Sequence, residues 1–383
     1  MQHSKEPQHL ECHDCALPVL IPILHHKQKA LCPRCGLQLT SFHQSAIEYI
    51  VAFAITALLF LLATIPFPFL SFSAKGQYQQ MDMIQGLLTL IDHQFLVLAI
   101  LQISVIFIIP LIILCGLIYL LLPVILVNKP PPAKEKILNL IFMLIPWSMA
   151  EIFLIGALVS LIKIISVADI TLGLSFYAYI IFSICMVSTI THLDKVQLQN
   201  VLEIAHPPVA HRKFQNKQFT WALLITSVIL YIPASTLPIM TTRLLGHDDP
   251  GTIMEGVILL WEHGSHPIAI IIFIASVFIP LAKMILLAWL NYSIQLKSNE
   301  LNQQRMLLYR ITEFVGRWSM IDVFVVIILV SLIQLGNTMS IYPGPAALAF
   351  SGVVIVTMLA AMSFDSHLIW HTDTNDDTSA RRQ

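Results

Sequence analysis

The sequence predicts an all-α polytopic membrane protein, with two repeated four-helix modules, about eight transmembrane helices in all, behind a short N-terminal segment holding four cysteines. Three observations predict it. Residues are 57% hydrophobic and only 11% charged, more apolar surface than the core of a soluble domain can hide. Apolar runs of about 20 residues, the length that crosses a hydrocarbon layer as helix, recur along the chain. The two halves also match in one register: Gly86 with Gly256, Pro110 with Pro280, and Trp147-Ser148-Met149 with Trp318-Ser319-Met320, offsets of 170 or 171.

The apolar runs fall near 47–70, 94–127, 137–163, 171–191, 219–240, 267–291, 311–335 and 343–363. The second is too long for one straight crossing, so a tilt, a break at Pro110 or a projection beyond the bilayer is expected. Pro66, Pro68, Pro233 and Pro238 are expected to break the first and fifth runs near their outer ends. Lysine and arginine give the orientation. Most of the 21 lie in the amino-terminal segment, the 128–136 loop, the central loop, the 296–310 loop and the tail, while the opposite loops hold Lys75 and Arg243. Both termini are therefore expected in the cytosol. A polar segment comes before the first apolar run, so no cleavable signal peptide is expected. The net charge of -1 excludes a phosphate-binding basic surface, and hence nucleic acid, as the main business of the chain. There is no GxxxxGK[ST] loop, which argues against a bound nucleotide.

Cys12-His13-Asp14-Cys15 and Cys32-Pro33-Arg34-Cys35-Gly36 are separated by sixteen residues, a spacing that suits a four-thiolate zinc ribbon. Each knuckle offers two sulfurs to one tetrahedral ion, and a reducing cytosol favours metal over disulfide. Four sulfurs saturate zinc, which makes the one ion structural and leaves no open position for catalysis; no enzymatic activity is expected. A docking or sensing role for the ribbon stays open. By the logic of the repeat a second ribbon belongs in 192–218, but that stretch has no cysteine. Cys115 and Cys185 fall in apolar runs and read as small buried thiols. The domain reading is thus a ribbon over 1–44, a first membrane module over 45–191, a linker over 192–218 that stands as a degenerate ribbon, a second module over 219–364, and a polar tail over 365–383.

The ribbon, PWSMAEIFLIGALVSLIK at 146–163 and GRWSMIDVFVVIILVSL at 316–332 together resemble the paraquat-inducible protein A family over nearly the whole chain. The resemblance implies an inner-membrane protein of double-membraned bacteria. It also implies work beside an MCE-domain partner, whose periplasmic tunnel carries phospholipid between membranes and so maintains the envelope. Family members commonly carry a ribbon ahead of each half, whereas this chain carries one.

A charge near the bilayer centre costs on the order of 3 kcal/mol, so each one retained is a functional candidate. Glu151 and Asp322 share a repeat position, three residues beyond Ser148 and Ser319. Lys283 lies one turn beyond Pro280, whereas its first-half counterpart is Ile113. Lys283 and Asp322 are the expected buried ion pair, either a static clamp between helices or a proton-responsive switch coupled to transport. Lys163 and Arg317 lie nearer the interfaces, where they can snorkel. Two other classes fit the same residues: a self-contained secondary transporter of a small solute, and a membrane scaffold whose ribbon docks cytosolic proteins.

Overall fold

The computed structural model describes residues 8–22, 28–41, 45–74, 77–92, 95–164, 169–204, 217–244, 247–262, 264, 266–295, 302–332, 339–364 and 369–370. It begins with two antiparallel hairpins, β1 (Gln8–Glu11) with β2 (Pro18–Ile21) and β3 (Lys29–Leu31) with β4 (Gln38–Ser41). Each hairpin ends in one of the cysteine knuckles.

The first membrane half follows. Helix α1 (Ala46–Ala63) leads to strands β5 (Leu70–Ala74) and β6 (Gln77–Met81), then to the short helix α2 (Met83–Asp92). Helices α3 (Leu96–Ile103) and α4 (Ile109–Val127) are joined through a π turn at Ser104–Ile108. Helix α5 (Lys134–Leu144) closes in a 3-10 turn at Ile145–Trp147, and α6 (Ala150–Ile164), β7 (Asp169–Leu172), α7 (Leu174–Thr191) and α8 (Lys195–Val201) complete the half.

The succession then recurs as α9 (Lys217–Thr236), β8 (Met240–Leu244), β9 (His247–Gly251), α10 (Ile253–Glu262) and α11 (His266–Phe273). After a π turn at Ile274–Phe278 come α12 (Ile279–Gln295), α13 (Asn302–Trp318), α14 (Ile321–Leu332), β10 (Met339–Pro343) and α15 (Pro345–Ser363).

Seven helical stretches among the described residues are long and apolar enough to cross a membrane: Ala46–Ala63, Leu96–Val127, Lys134–Leu161, Leu174–Thr191, Gln218–Thr236, Ala269–Ile294 and Pro345–Ser363. The chain is a multi-pass membrane protein. The expected eight becomes seven because the run at 311–335 is not one helix: it turns at Ser319 and Met320, leaving α14 with 12 residues. Such a short helix survives because protein, not lipid, surrounds it. Val323 through Val330 are all buried, packed against α6 and α2 of the first half, as expected for a helix apolar on every side.

The long second run does not break at Pro110. Each π turn ends two residues before the proline of its half, Pro110 or Pro280. Proline donates no backbone hydrogen bond and its ring crowds the carbonyl four residues back, and the wider turn relieves both problems. At ~1.5 Å per residue the continuous Leu96–Val127 helix, 32 residues long, runs well past a hydrocarbon layer of about 30 Å. Helix α1 does end ahead of Pro66, but Pro233 lies inside α9 and only Pro238 follows its end. Cys115 faces outward, while Cys185 is buried.

The all-α expectation also needs correction. Besides the hairpins of the ribbon, the structure has two three-stranded antiparallel sheets, ordered β6-β5-β7 and β9-β8-β10, at the end of the helices opposite the ribbon. Phe72 faces Gln79 on one side and Ile170 on the other; Thr242 faces Asp249 and Ile341. Strands of four or five residues between apolar runs leave too few alternating positions to be read in advance.

The two sheets meet their final helices through the same joint. Gly173 N–H donates to Phe69 O at 3.1 Å and Gly344 N–H to Ile239 O at 2.8 Å. A methyl on Gly173 would lie 1.9 Å from Pro68 O, and one on Gly344 2.1 Å from Pro238 O. Gly173→Ala is therefore expected to cost about 1–3 kcal/mol, seen as a lower melting temperature of the detergent-solubilised protein; an unchanged melt would show that the backbone yields there.

Candidate functional site

The hairpin turns bring the four predicted thiols together. Cys12 and Cys35 Sγ lie 3.5 Å apart, as do Cys15 and Cys32 Sγ, and all four sulfurs are within 4.8 Å of one another. A metal with ~2.3 Å arms to sulfur needs tetrahedral edges of about 3.8 Å, so the cluster fits an ion. The separations are too long for disulfides, which need about 2.05 Å, and all four cysteines are free thiols. Gly36, at φ +68, supplies the left-handed turn after the second knuckle. Ala16, at φ 54, adopts the same conformation after the first at the cost of a Cβ.

Burial raises the thiols of Cys12 and Cys15, the latter pushed up to about 12. At Cys32 burial acts the same way, but backbone N–H donors of Cys35 and Arg34 outweigh it and bring the group down to about 7. A cation at the centre would favour the thiolate on all four.

The intramembrane candidates are dispersed in a more uneven way. Lys283, on α12, is 3% exposed, and its Nζ has no hydrogen-bond partner among the described residues. It lines a cavity of about 210 Å³ with Thr312, Glu313 and Gly316 of α13, Met358 of α15, and Pro146 of the first half. Gly316 makes room for it: a methyl there would sit 2.7 Å from Lys283 Nζ. Ser319 is buried at the α13–α14 turn, where its Oγ donates to Gly316 O at 2.9 Å.

In the first half Ser148 is buried with extended backbone (φ -77, ψ 107), and its Oγ has no partner among the described residues. Glu151 stands half-buried in the first turn of α6, where a negative charge meets the positive end of the helix dipole. The side chains of Lys163, Arg317 and Asp322 lie outside the described residues, and with them the expected Lys283–Asp322 pair.

Thr312, Glu313 and Gly316 were missed in the sequence. Glu313 carried a legible signal, an acid inside an apolar run, but Thr312 and Gly316 matter only through what stands beside them. Further polar groups extend from the cavity toward the ribbon: Asn291 on α12 is 4% exposed and Arg305 on α13 is 3% exposed. The first-half positions matching Lys283, Asn291 and Thr312 are Ile113, Leu121 and Ile141, all fully buried. One half thus carries a buried polar stripe where the other is hydrocarbon.

If the thiol cluster holds a metal, Cys32→Ser should lower metal content per purified chain at least about tenfold, measured by elemental analysis, while Cys115→Ser leaves it unchanged. Equal metal in both variants would remove the cluster as the site.

Comparison with known proteins bears on the whole chain. The family model for paraquat-inducible protein A matches residues 47–203 and again 218–373. The intermembrane transport protein PqiA of Escherichia coli is 36% identical, covering 96% of this chain and 97% of its own length. The lipophilic envelope-spanning tunnel protein A of Escherichia coli is 27% identical, covering 97% and 92%. A probable intermembrane transport protein of Haemophilus influenzae is 26% identical, covering 94% and 95%. No solved structure matches. With both membrane halves matched and likeness running end to end, the chain belongs to the paraquat-inducible protein A family.

Proposed function

We propose that this protein is the inner-membrane component of an intermembrane lipid transport system, passing phospholipid to a periplasm-spanning MCE-domain tunnel partner and so maintaining the envelope. The observation that carries the reading is the 36% identity, over 96% of the chain, to a protein named for intermembrane transport. In this reading the two halves are copies of one four-helix module, the ribbon face is cytosolic with both termini, and the sheet face meets the partner. The ribbon over 1–44 holds one structural zinc ion, and 192–218 is a linker that has lost its ribbon.

Energy, in the same reading, enters through the second half. A lysine inside a membrane protein costs free energy, so its retention marks a functional candidate. Lys283 faces a cavity, and Thr312, Asn291 and Arg305 provide buried polar groups between it and the ribbon face. Proton uptake and release at Lys283, with Asp322 as partner and Ser319 at the adjacent turn, is the coupling step proposed. Ser148, Glu151 and Lys163 belong to a supporting half, since the positions that would complete a matching stripe are apolar.

Purification from native membranes tests the function: phospholipid and an MCE-domain protein should co-purify. Reconstituted flux of a small solute without any partner would instead favour a self-contained transporter. Lys283→Met should abolish lipid flux while raising thermal stability by roughly 1–3 kcal/mol, because it removes a buried charge. Undiminished flux from that variant, or from Asp322→Asn, would show that the membrane part merely holds the partner, as a scaffold.

A further inference from the structure

The ribbon touches the membrane halves at three places, and they lie on different halves. At the first knuckle, the Asp14 carboxylate accepts from Arg310 Nε at 3.1 Å and Nη2 at 2.8 Å, a fork reaching to α13 of the second half. Burial would raise the Asp14 carboxyl, but hydrogen bonding from His13 and the Arg310 guanidinium hold it below the usual carboxylate range. At the second knuckle, the Arg34 guanidinium lies 5.1 Å from the ring centre of Trp370. Cys35 joins a buried cluster with Leu290, Met306, Phe364 and Ile369, so the segment predicted as a polar tail contributes two apolar side chains to the ribbon contact.

The third contact is to the first half. Asp194 caps α8, its Oδ1 accepting from Val196 N at 3.0 Å and Gln197 N at 3.2 Å. Its Oδ2 accepts from Thr40 Oγ1 at 3.0 Å and Ser41 N at 2.7 Å, both at the end of β4. One carboxylate therefore serves four donors, two of them from the ribbon.

The gripped elements carry the cavity wall. Arg310 is two residues from Thr312 and three from Glu313, and Phe364 is two residues beyond Met362, which also lines the cavity. Tyr309 stacks on Phe364 with ring centres 5.2 Å apart and donates to Ala361 O at 3.4 Å, tying α13 to the end of α15. Pro146, on the opposite wall, belongs to the half that Asp194 anchors.

We propose that the four-cysteine ribbon is a metal-dependent brace across the two halves: with an ion bound it fixes α13 and the end of α15 relative to the first half, and loss of the ion releases that wall of the Lys283 cavity. Some thirty residues have little core of their own, so the ion supplies the order that lets Asp14, Arg34, Thr40 and Ser41 hold their partners. This rests on the reading of the cluster as a metal site. Linkage then requires the effect to run both ways, since whatever the metal does for the α13 contact, the contact must do for metal retention.

The full chain in nanodiscs would be followed by hydrogen exchange before and after removal of metal with a strong zinc chelator. Exchange in 302–318 and 357–364 should rise about tenfold, matching the tenfold weaker metal retention that linkage requires of Arg310→Met. Arg310→Met, which leaves the ribbon intact, should give the same pattern with metal still bound. Faster exchange confined to 8–41 after chelation, or Arg310→Met with unaltered exchange and retention, would overturn the brace. A chain purified without metal would refute the metal reading itself, and Arg310→Met would then decide separately whether the contact holds α13.

Discussion

The seam between α6 and α14 is the constraint on which the rest of the architecture depends. Helices in lipid gain nothing from hiding apolar surface from one another, so they associate through close packing. Gly156 provides the approach: a methyl there would lie 3.0 Å from Phe324 Cβ and 3.4 Å from Ile321 O. Ser160 Oγ, which donates to Gly156 O at 2.8 Å, also lies 3.4 Å from Val325 O across the seam. Phe153 meets Phe324 edge to face at 5.5 Å and continues through Tyr179 to Phe182. Once α14 is committed to this groove, the turn at Ser319 and Met320 follows, and α13 is left free to stand against α12 and α15 with the lysine cavity between them.

What was legible in the sequence depended on the range of the signal. The cysteine knuckles were legible because metal geometry dictates spacing within a few residues, and seven of the eight long apolar runs because the bilayer dictates length. The register between halves marked Pro110 and Pro280 as a matching pair, but the π turn ahead of each was not expected: proline signalled a break, and the wider turn is how the helix avoids one. The run at 311–335 misled because hydropathy reports apolarity without saying whether lipid or protein supplies it, and α14 is apolar for the second reason. The sheets were illegible for a different cause: β7 pairs with β5 across about a hundred residues of helix, and polar segments such as Gln77–Met81 carry no mark of a partner that far away. The cavity was half legible, with Lys283 evident as a charge and Gly316 meaningful only beside it.

The halves share a plan and differ in solvent properties. In the first, Ile113, Leu121 and Ile141 pack as hydrocarbon, and α2 is covered by α14. In the second, Lys283, Asn291 and Thr312 occupy the matching places, and α10 has Val257 as its buried residue where α2 buries Met83, Gly86 and Leu90. The two halves are thus distinguished by what one lends the other: the second half gives its α14 to complete the core of the first.

The π turn at Ile274–Phe278 also sets an angular phase. Each wide turn accommodates one residue more than an α-helical turn, which rotates everything beyond it by about 100° around the helix axis. Lys283 begins its face of α12 only after that rotation. Without the extra residue an apolar neighbour, Ala282 or Met284, would point at Gly316 and the ammonium would be turned toward another helix or the lipid. The direction in which the one buried lysine of the described second half points is therefore written nine residues upstream, in a stretch that carries no charge at all.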